Sequence, residues 1–168
     1  MFKIGDNVVY GSNGVMTVVD ERDESFGDEV RRYFVLHPYG SSAESFVFVP
    51  MDNERLVSLM SPLLSREDYI SIFRSLNGLP DCEWRKDGRS RAETFKSILD
   101  SCDRSAIMAM IRTIYKMGAL RTSVGKKNFV SDENALRKAE RILATEISIV
   151  FEIGESEVKD MVLREIEK

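Results

Sequence analysis

Histidine is nearly missing from this sequence: His37 is the only one in 168 residues, and it sits inside an apolar run. One imidazole without companion ligands makes neither a zinc site nor the base of a catalytic triad, so His37 reads as a strand residue. The two cysteines, Cys82 and Cys102, fit no CxxC spacing. They read as ordinary small residues and not as a metal or redox pair. No apolar run approaches the roughly 20 residues of a membrane span. The opening Met1-Phe2-Lys3-Ile4-Gly5-Asp6 lacks the apolar stretch of a secretory signal, so a cytoplasmic protein is expected. Also missing are a P-loop, a GxGxxG after a strand, HExxH and GxSxG. Carboxylates are plentiful but fall in connections or on polar helix faces, where nothing pairs them for acid–base work. The expectation is a non-enzyme with no catalytic residue, metal, cofactor or small-molecule substrate.

What is present is a globular balance, 43% apolar and 31% charged residues, written in two different periods. From Asn7 to about Val57 the period is two. Val8-Val9-Tyr10, a tight turn at Gly11-Ser12-Asn13-Gly14, and Val15-Met16-Thr17-Val18-Val19 predict a first hairpin. The acidic stretch Asp20 to Glu29, containing Gly27, reads as a connection. Arg31–His37 and Phe46–Pro50 read as further strands, and Arg55-Leu56-Val57 as a short fifth. Such a run of short strands predicts a small, bent antiparallel sheet or barrel.

After a hinge near Ser58–Pro62 the period becomes 3.6. Ser65 with Asp68 predicts a capping box for a helix carrying Tyr69, Ile70, Ile72, Phe73 and Leu76, ending at Asn77-Gly78. A second helix runs from Asp87 to Ser101. Asp103 caps a third, bearing Ile107, Met110, Ile111, Ile114 and Gly118. Ser131 caps a fourth, bearing Leu136, Ala139, Leu143, Ile147 and Val150 and closed by Gly154. Ser156 opens a last one with Val158, Met161, Val162 and Ile166. The predicted class is α+β in two domains: residues 1–60 a β module and residues 61–168 a five-helix all-α domain.

Net charge is −4, but residues 82–141 hold 14 Lys+Arg against 8 Asp+Glu while the rest holds 10 against 20. Such asymmetry suggests different partners for the two segments. Within the basic segment, the only tryptophan, Trp84, is followed by Arg85, Lys86, Arg89 and Arg91. Cations near a helix N-terminus oppose the macrodipole, so helix stability does not account for them. Phosphate contact does, with an aromatic side chain beside it that wedges between base steps or stacks on an unpaired base. The other reading has Trp84 packed on the helical domain and the cations solvated. Arg112 and Lys116, four apart on one face, and Lys126 and Lys127 extend the candidate surface.

Phe2-Lys3-Ile4-Gly5-Asp6-Asn7-Val8-Val9-Tyr10 with Gly14-Val15 resembles the opening of the CarD family of bacterial transcription regulators. Tyr33-Phe34-Val35-Leu36 and Val47-Phe48-Val49-Pro50 fall where that family has later strands. Asp81–Arg91 resembles its tryptophan-plus-basic segment, and Ser131-Asp132-Glu133 with Ala139–Ile147 resembles its penultimate helix. The resemblance implies a Tudor-like domain that docks on the β subunit of RNA polymerase. It also implies a helical domain that contacts promoter DNA through the minor groove, without sequence specificity, at the upstream edge of the melted region. Trp84 is then the wedge, and Arg85, Lys86, Arg89 and Arg91 are phosphate contacts. The expected result is a more stable open complex, formed by a monomer associated with the nucleoid through polymerase.

The chain departs from the family at Tyr10-Gly11 in place of Tyr-Pro, at Phe48 in place of a basic residue, and in an acidic N-terminal module. The expected polymerase contact is therefore Arg31, Arg32, Phe46, Phe48 and Pro50, along a sheet edge open to strand addition. The alternative is a protein–protein adaptor of the transcription machinery without DNA contact.

Overall fold

The computed structural model describes residues 2–26 and 29–166, leaving aside the side chains of Phe26, Leu163 and Ile166. Gly27 of the expected connection and the Ile166 side chain therefore lie outside the described residues. The chain divides into two compact units, Met1–Leu63 and Leu64–Lys168.

The first unit is a five-stranded antiparallel sheet in the order β4-β3-β2-β1-β5. Its strands are β1 (Asn7–Tyr10), β2 (Val15–Phe26), β3 (Glu29–Pro38), β4 (Val47–Pro50) and β5 (Met60–Pro62), with a single helical turn, α1 (Glu54–Val57), before the last. One face gathers Val8, Tyr10, Met16, Val18, Phe34, Leu36, Val49 and Met60 into a closed core. Each such side chain, fully buried, stabilises by about 1.5–3 kcal/mol before conformational entropy is subtracted. The β1–β2 turn is a short 3-10 segment, with Gly11 at φ 46° and Gly14 at φ 86°. Both values lie where a side chain is strained.

Three strand expectations need correction. The acidic stretch from Asp20 is strand, not connection. A bulge between Val18 and Asp20 shifts the register, and beyond it Asp23 faces Arg32 and Glu24 faces Arg31. Cross-strand opposite charges let a ribbon with little apolar content pair. Arg55-Leu56-Val57 is helical because Asn53 caps it, accepting from the Leu56 amide at 3.1 Å. The fifth strand is Met60–Pro62, paired with β1 from Val8 to Tyr10, so the expected hinge is part of the sheet.

The second unit packs five helices: α2 (Arg66–Ser75), α3 (Gly88–Asp100), α4 (Arg104–Ser123), α5 (Val130–Phe151) and α6 (Glu155–Ile166). Ser65 and Asp68 form the predicted capping box, and Asp87 and Asp103 cap α3 and α4 through their carboxylates. Tyr69, Leu76, Phe95, Ile107, Met110, Ile111, Ala139, Leu143, Ile147 and Val158 are buried. Ser131 does not cap α5. The helix starts at Val130 after Phe129, and the Ser131 hydroxyl turns to Asp132 at 3.2 Å. Gly154 does not close it either, since Glu152 takes the left-handed position at φ 56°. Gly154 instead opens α6, its carbonyl accepting from the Glu157 and Val158 amides at 3.0 and 3.2 Å.

Candidate functional site

The connection from α2 to α3 carries Trp84 and is fastened on both sides of it. On the near side Arg112 of α4 reaches back with its whole fork. Its Nη1 and Nη2 donate to the carbonyls of Leu76 and Leu79, both at 2.6 Å, and its Nε to Asp81 at 2.9 Å. The Cys82 amide donates to the Thr113 hydroxyl at 2.9 Å. A hydrogen bond from Lys116, joined by one from Arg112, holds the Asp81 carboxyl below the usual carboxylate range. On the far side Arg91 of α3 does the fastening. Its Nε donates to both oxygens of Asp132, at 3.0 and 3.1 Å, and its Nη1 to the Arg85 and Lys86 carbonyls at 2.8 and 3.3 Å.

Arg91 is also the centre of a stack. Its guanidinium lies 4.5 Å from the Trp84 ring and 4.6 Å from the Phe129 ring, and Arg121 covers Phe129 at 3.8 Å. Arg is suited to this because its planar cation stacks on aromatic faces while its edge donates hydrogen bonds. The Arg91 Nη2 makes no hydrogen bond, which fits a group enclosed by the stack. Arg121 in turn closes the α4–α5 turn, donating to the Lys127 carbonyl at 3.0 and 2.8 Å. The Trp84 connection and the α4–α5 turn are thereby brought together.

Two of the expected phosphate contacts are corrected by this geometry. Arg91 is 1% exposed and Arg112 7%, and both guanidinium groups are engaged in holding the connection. Trp84 is half-buried, with Arg91 on its ring and Phe95 tilted against it at 6.2 Å. Arg85, Lys86, Arg89, Lys116, Lys126 and Lys127 are exposed. Of these, Arg85 is paired with Glu83, Arg89 with Glu93 and Lys116 with Asp81. Exposed pairs of this kind are worth about 0–1 kcal/mol, so they can be exchanged for another anion at little cost. From Arg104 through Ser131 the sequence has six Lys+Arg and no Asp or Glu.

Phe129 and Asp132 belong to the site without having been singled out in the sequence. Asp132 had a visible signal: it stands in register with Leu136, Ala139 and Leu143 on the apolar stripe of α5. A carboxylate on a buried stripe demands a buried cation.

In the sheet unit, β4 is an edge strand. The Met51 amide donates to the Arg32 carbonyl at 2.9 Å, which sets the alternation along β4 and turns the Phe48 backbone to the open edge. The Phe48 side chain is 44% exposed, with Tyr33 edge-on at 6.3 Å and the Arg22 guanidinium at 5.7 Å. Phe46, 49% exposed, leans on His37 at 5.3 Å. Pro50 lies at the end of β4, opposite Tyr33. Arg31 and Arg32 are exposed but paired with Glu29 and Glu21. Arginine, aromatics and an unpaired backbone therefore occupy one edge.

Among the described residues no group of three or more His, Cys, Asp and Glu could hold a metal ion. No described helix is long and apolar enough to cross a membrane. Residues 2–63 match the family model of the CarD-like/TRCF RID domain, and no curated protein sequence matches the chain.

Proposed function

From the premise that residues 2–63 form a CarD-like/TRCF RID domain, a type that interacts with the RNA polymerase β subunit, we propose a transcription regulator that bridges polymerase and promoter DNA. The sheet unit docks on the β subunit through the β4 edge. A partner strand pairs with the open backbone at Phe48, and Phe46 and Phe48 supply apolar contact. The helical unit contacts DNA at the upstream edge of the melted region, with Arg85, Lys86, Arg89, Lys116, Lys126 and Lys127 on phosphates and Trp84 as the wedge.

The observation that carries this reading is the two-sided fastening of the Trp84 connection. An aromatic side chain held between two anchors, with an exposed cation next to it, is preorganised for insertion beside a phosphate backbone. Binding that favours melted over closed DNA stabilises the open complex by the difference in affinity, with no chemistry required. The protein acts as a cytoplasmic monomer, without sequence specificity.

Two measurements test the two halves. Phe48→Asp places a charge on the docking edge and is expected to weaken binding to the isolated β subunit at least tenfold while the fold is kept; full affinity would sink the edge assignment. Promoter-DNA affinity is expected to fall steeply with salt, as counterion release requires. Salt-independent or absent DNA binding would leave a protein adaptor.

A further inference from the structure

Beside the Trp84–Arg91–Phe129 stack lies a pocket of 310 Å³ in the helical unit, lined by Trp84, Tyr115, Phe129 and Leu136 with Arg121 and Asn128. Ligand clefts run from about 300 to 1,000 Å³, so this one suits a single heterocycle and nothing much larger. We propose that it receives one unpaired DNA base at the edge of the melted region; this rests on the DNA-contacting reading above and names the group that the wedge displaces.

Four observations point to a base. Three of the lining side chains are aromatic, and every base has a face that stacks on such rings. The Asn128 side-chain amide is exposed and makes no hydrogen bond. One donor and one acceptor on the same planar group suit the edge of a base. Gly118 makes room for that amide: a Cβ there would come within 3.2 Å of Asn128 Nδ2 and 3.3 Å of its Oδ1. Finally, Arg121 stands in the pocket wall with Asp132 and Glu133, of which Asp132 is already paired with Arg91, and the adjoining α4–α5 turn is cationic. Lys126 and Lys127, both exposed on the turn next to Asn128, suit the phosphates flanking a displaced nucleotide.

A second pocket of the helical unit differs in character. It measures 280 Å³ between α4, α5 and α6, is lined by Leu143, Val158 and Val162, and has Glu140 and Glu155 in its wall. Lys159 is its one lining cation and it offers no aromatic face, so a base belongs at the first pocket.

The test uses the full chain and two DNA probes of one sequence: a closed duplex, and a fork junction whose first unpaired base is 2-aminopurine. The wild type is expected to bind the fork about tenfold more tightly than the duplex, as one base–aromatic stack allows, and to change 2-aminopurine emission. Ala119→Phe, on the exposed face of α4 where Ala119 lines the pocket, plugs it and leaves Trp84 itself in place. This variant is expected to lose the fork preference and the emission change while duplex affinity stays the same. Tyr115→Leu, which removes one stacking face, gives the same readout if the larger side chain perturbs folding. A fork preference untouched by both variants overturns the pocket assignment and leaves DNA contact standing. Failure of the wild type to bind either probe overturns both readings together.

Discussion

Glu146→Ala lowers the unfolding free energy of the helical unit by about 3–5 kcal/mol, the cost of stranding one partner of a buried ion pair. Glu146 is 0% exposed, and its carboxylate is filled from four directions. Arg104 donates from Nε at 2.8 Å and from Nη2 at 2.9 Å. The Tyr69 hydroxyl donates at 2.6 Å and the Leu64 amide at 2.9 Å. Burial, and then the Glu146 charge, push the Tyr69 phenol well above its usual range, so it remains a donor at any working pH. Removing the carboxylate takes away the acceptor shared by Nε and Nη2 of Arg104, the Tyr69 phenol and the Leu64 amide in a dry interior. The network also fixes where the helical unit begins, because the Leu64 amide is tied to α5 across the body of the unit. Tyr69→Phe removes one hydrogen bond to a charged group and is expected to cost less, about 1.5–3 kcal/mol. Urea denaturation followed by circular dichroism measures both. A loss for Glu146→Ala no larger than the 1 kcal/mol or so of an exposed pair contradicts the account.

Arg91→Met is expected to cost a similar 3–5 kcal/mol, because Asp132 is left buried and unpaired, but its more informative effect is on Trp84. The substitution keeps length and apolar bulk while removing the donor to the Arg85 and Lys86 carbonyls and the cation between the two rings. Trp84 is the only tryptophan, so its fluorescence reports the connection alone, and a red-shifted, more easily quenched emission is expected. The double variant Arg91→Met/Asp132→Leu separates the two effects. Replacing both members of a buried pair by apolar groups is often close to neutral in stability, yet the carbonyls of Arg85 and Lys86 still lack their donor. Stability is expected to return while the emission stays shifted. If the emission returns as well, Arg91 supports the fold and does not position Trp84.

These two ion pairs also mark where the sequence was and was not legible. The change of period from two to 3.6, the caps at Ser65 and Asp103, and the apolar stripe of α5 are local signals, and the structure follows them. The β2–β3 ribbon was misread because its pairing rests on charges facing each other across strands, a relation that no single stretch displays. The same holds for the site. Trp84 and its cations stand next to each other in sequence, so they drew attention as one cluster. Arg91 departs from its neighbours because it occupies the inward register of α3, four residues before Phe95 and eight before Leu99, all three buried. Arg112 falls in the stretch Ile107–Ile114 of α4, where every residue is buried. A cation spaced with the apolar stripe belongs to the core and needs a carboxylate or carbonyls there. Asp132, Glu146 and, for Arg112, the Leu76 and Leu79 carbonyls are those counterparts, and their distance in sequence hid the pairing. Spacing against the stripe was enough to set Arg91 apart from its exposed neighbours, but not Arg112, which shares a helix face with the exposed Lys116.

The central claim is that Trp84, held by its two anchors, stabilises melted promoter DNA while the sheet unit holds polymerase. The lifetime of competitor-challenged open complexes, measured with wild type, Trp84→Ala and no added protein, tests it most directly. Loss of one aromatic contact to DNA is worth about 1–3 kcal/mol, roughly 5- to 150-fold in the equilibrium it controls. Wild type is expected to prolong the lifetime, and Trp84→Ala to return it most of the way to the value without protein, with polymerase binding unchanged. A Trp84→Ala protein that is folded, binds polymerase and prolongs the lifetime as fully as wild type would contradict it.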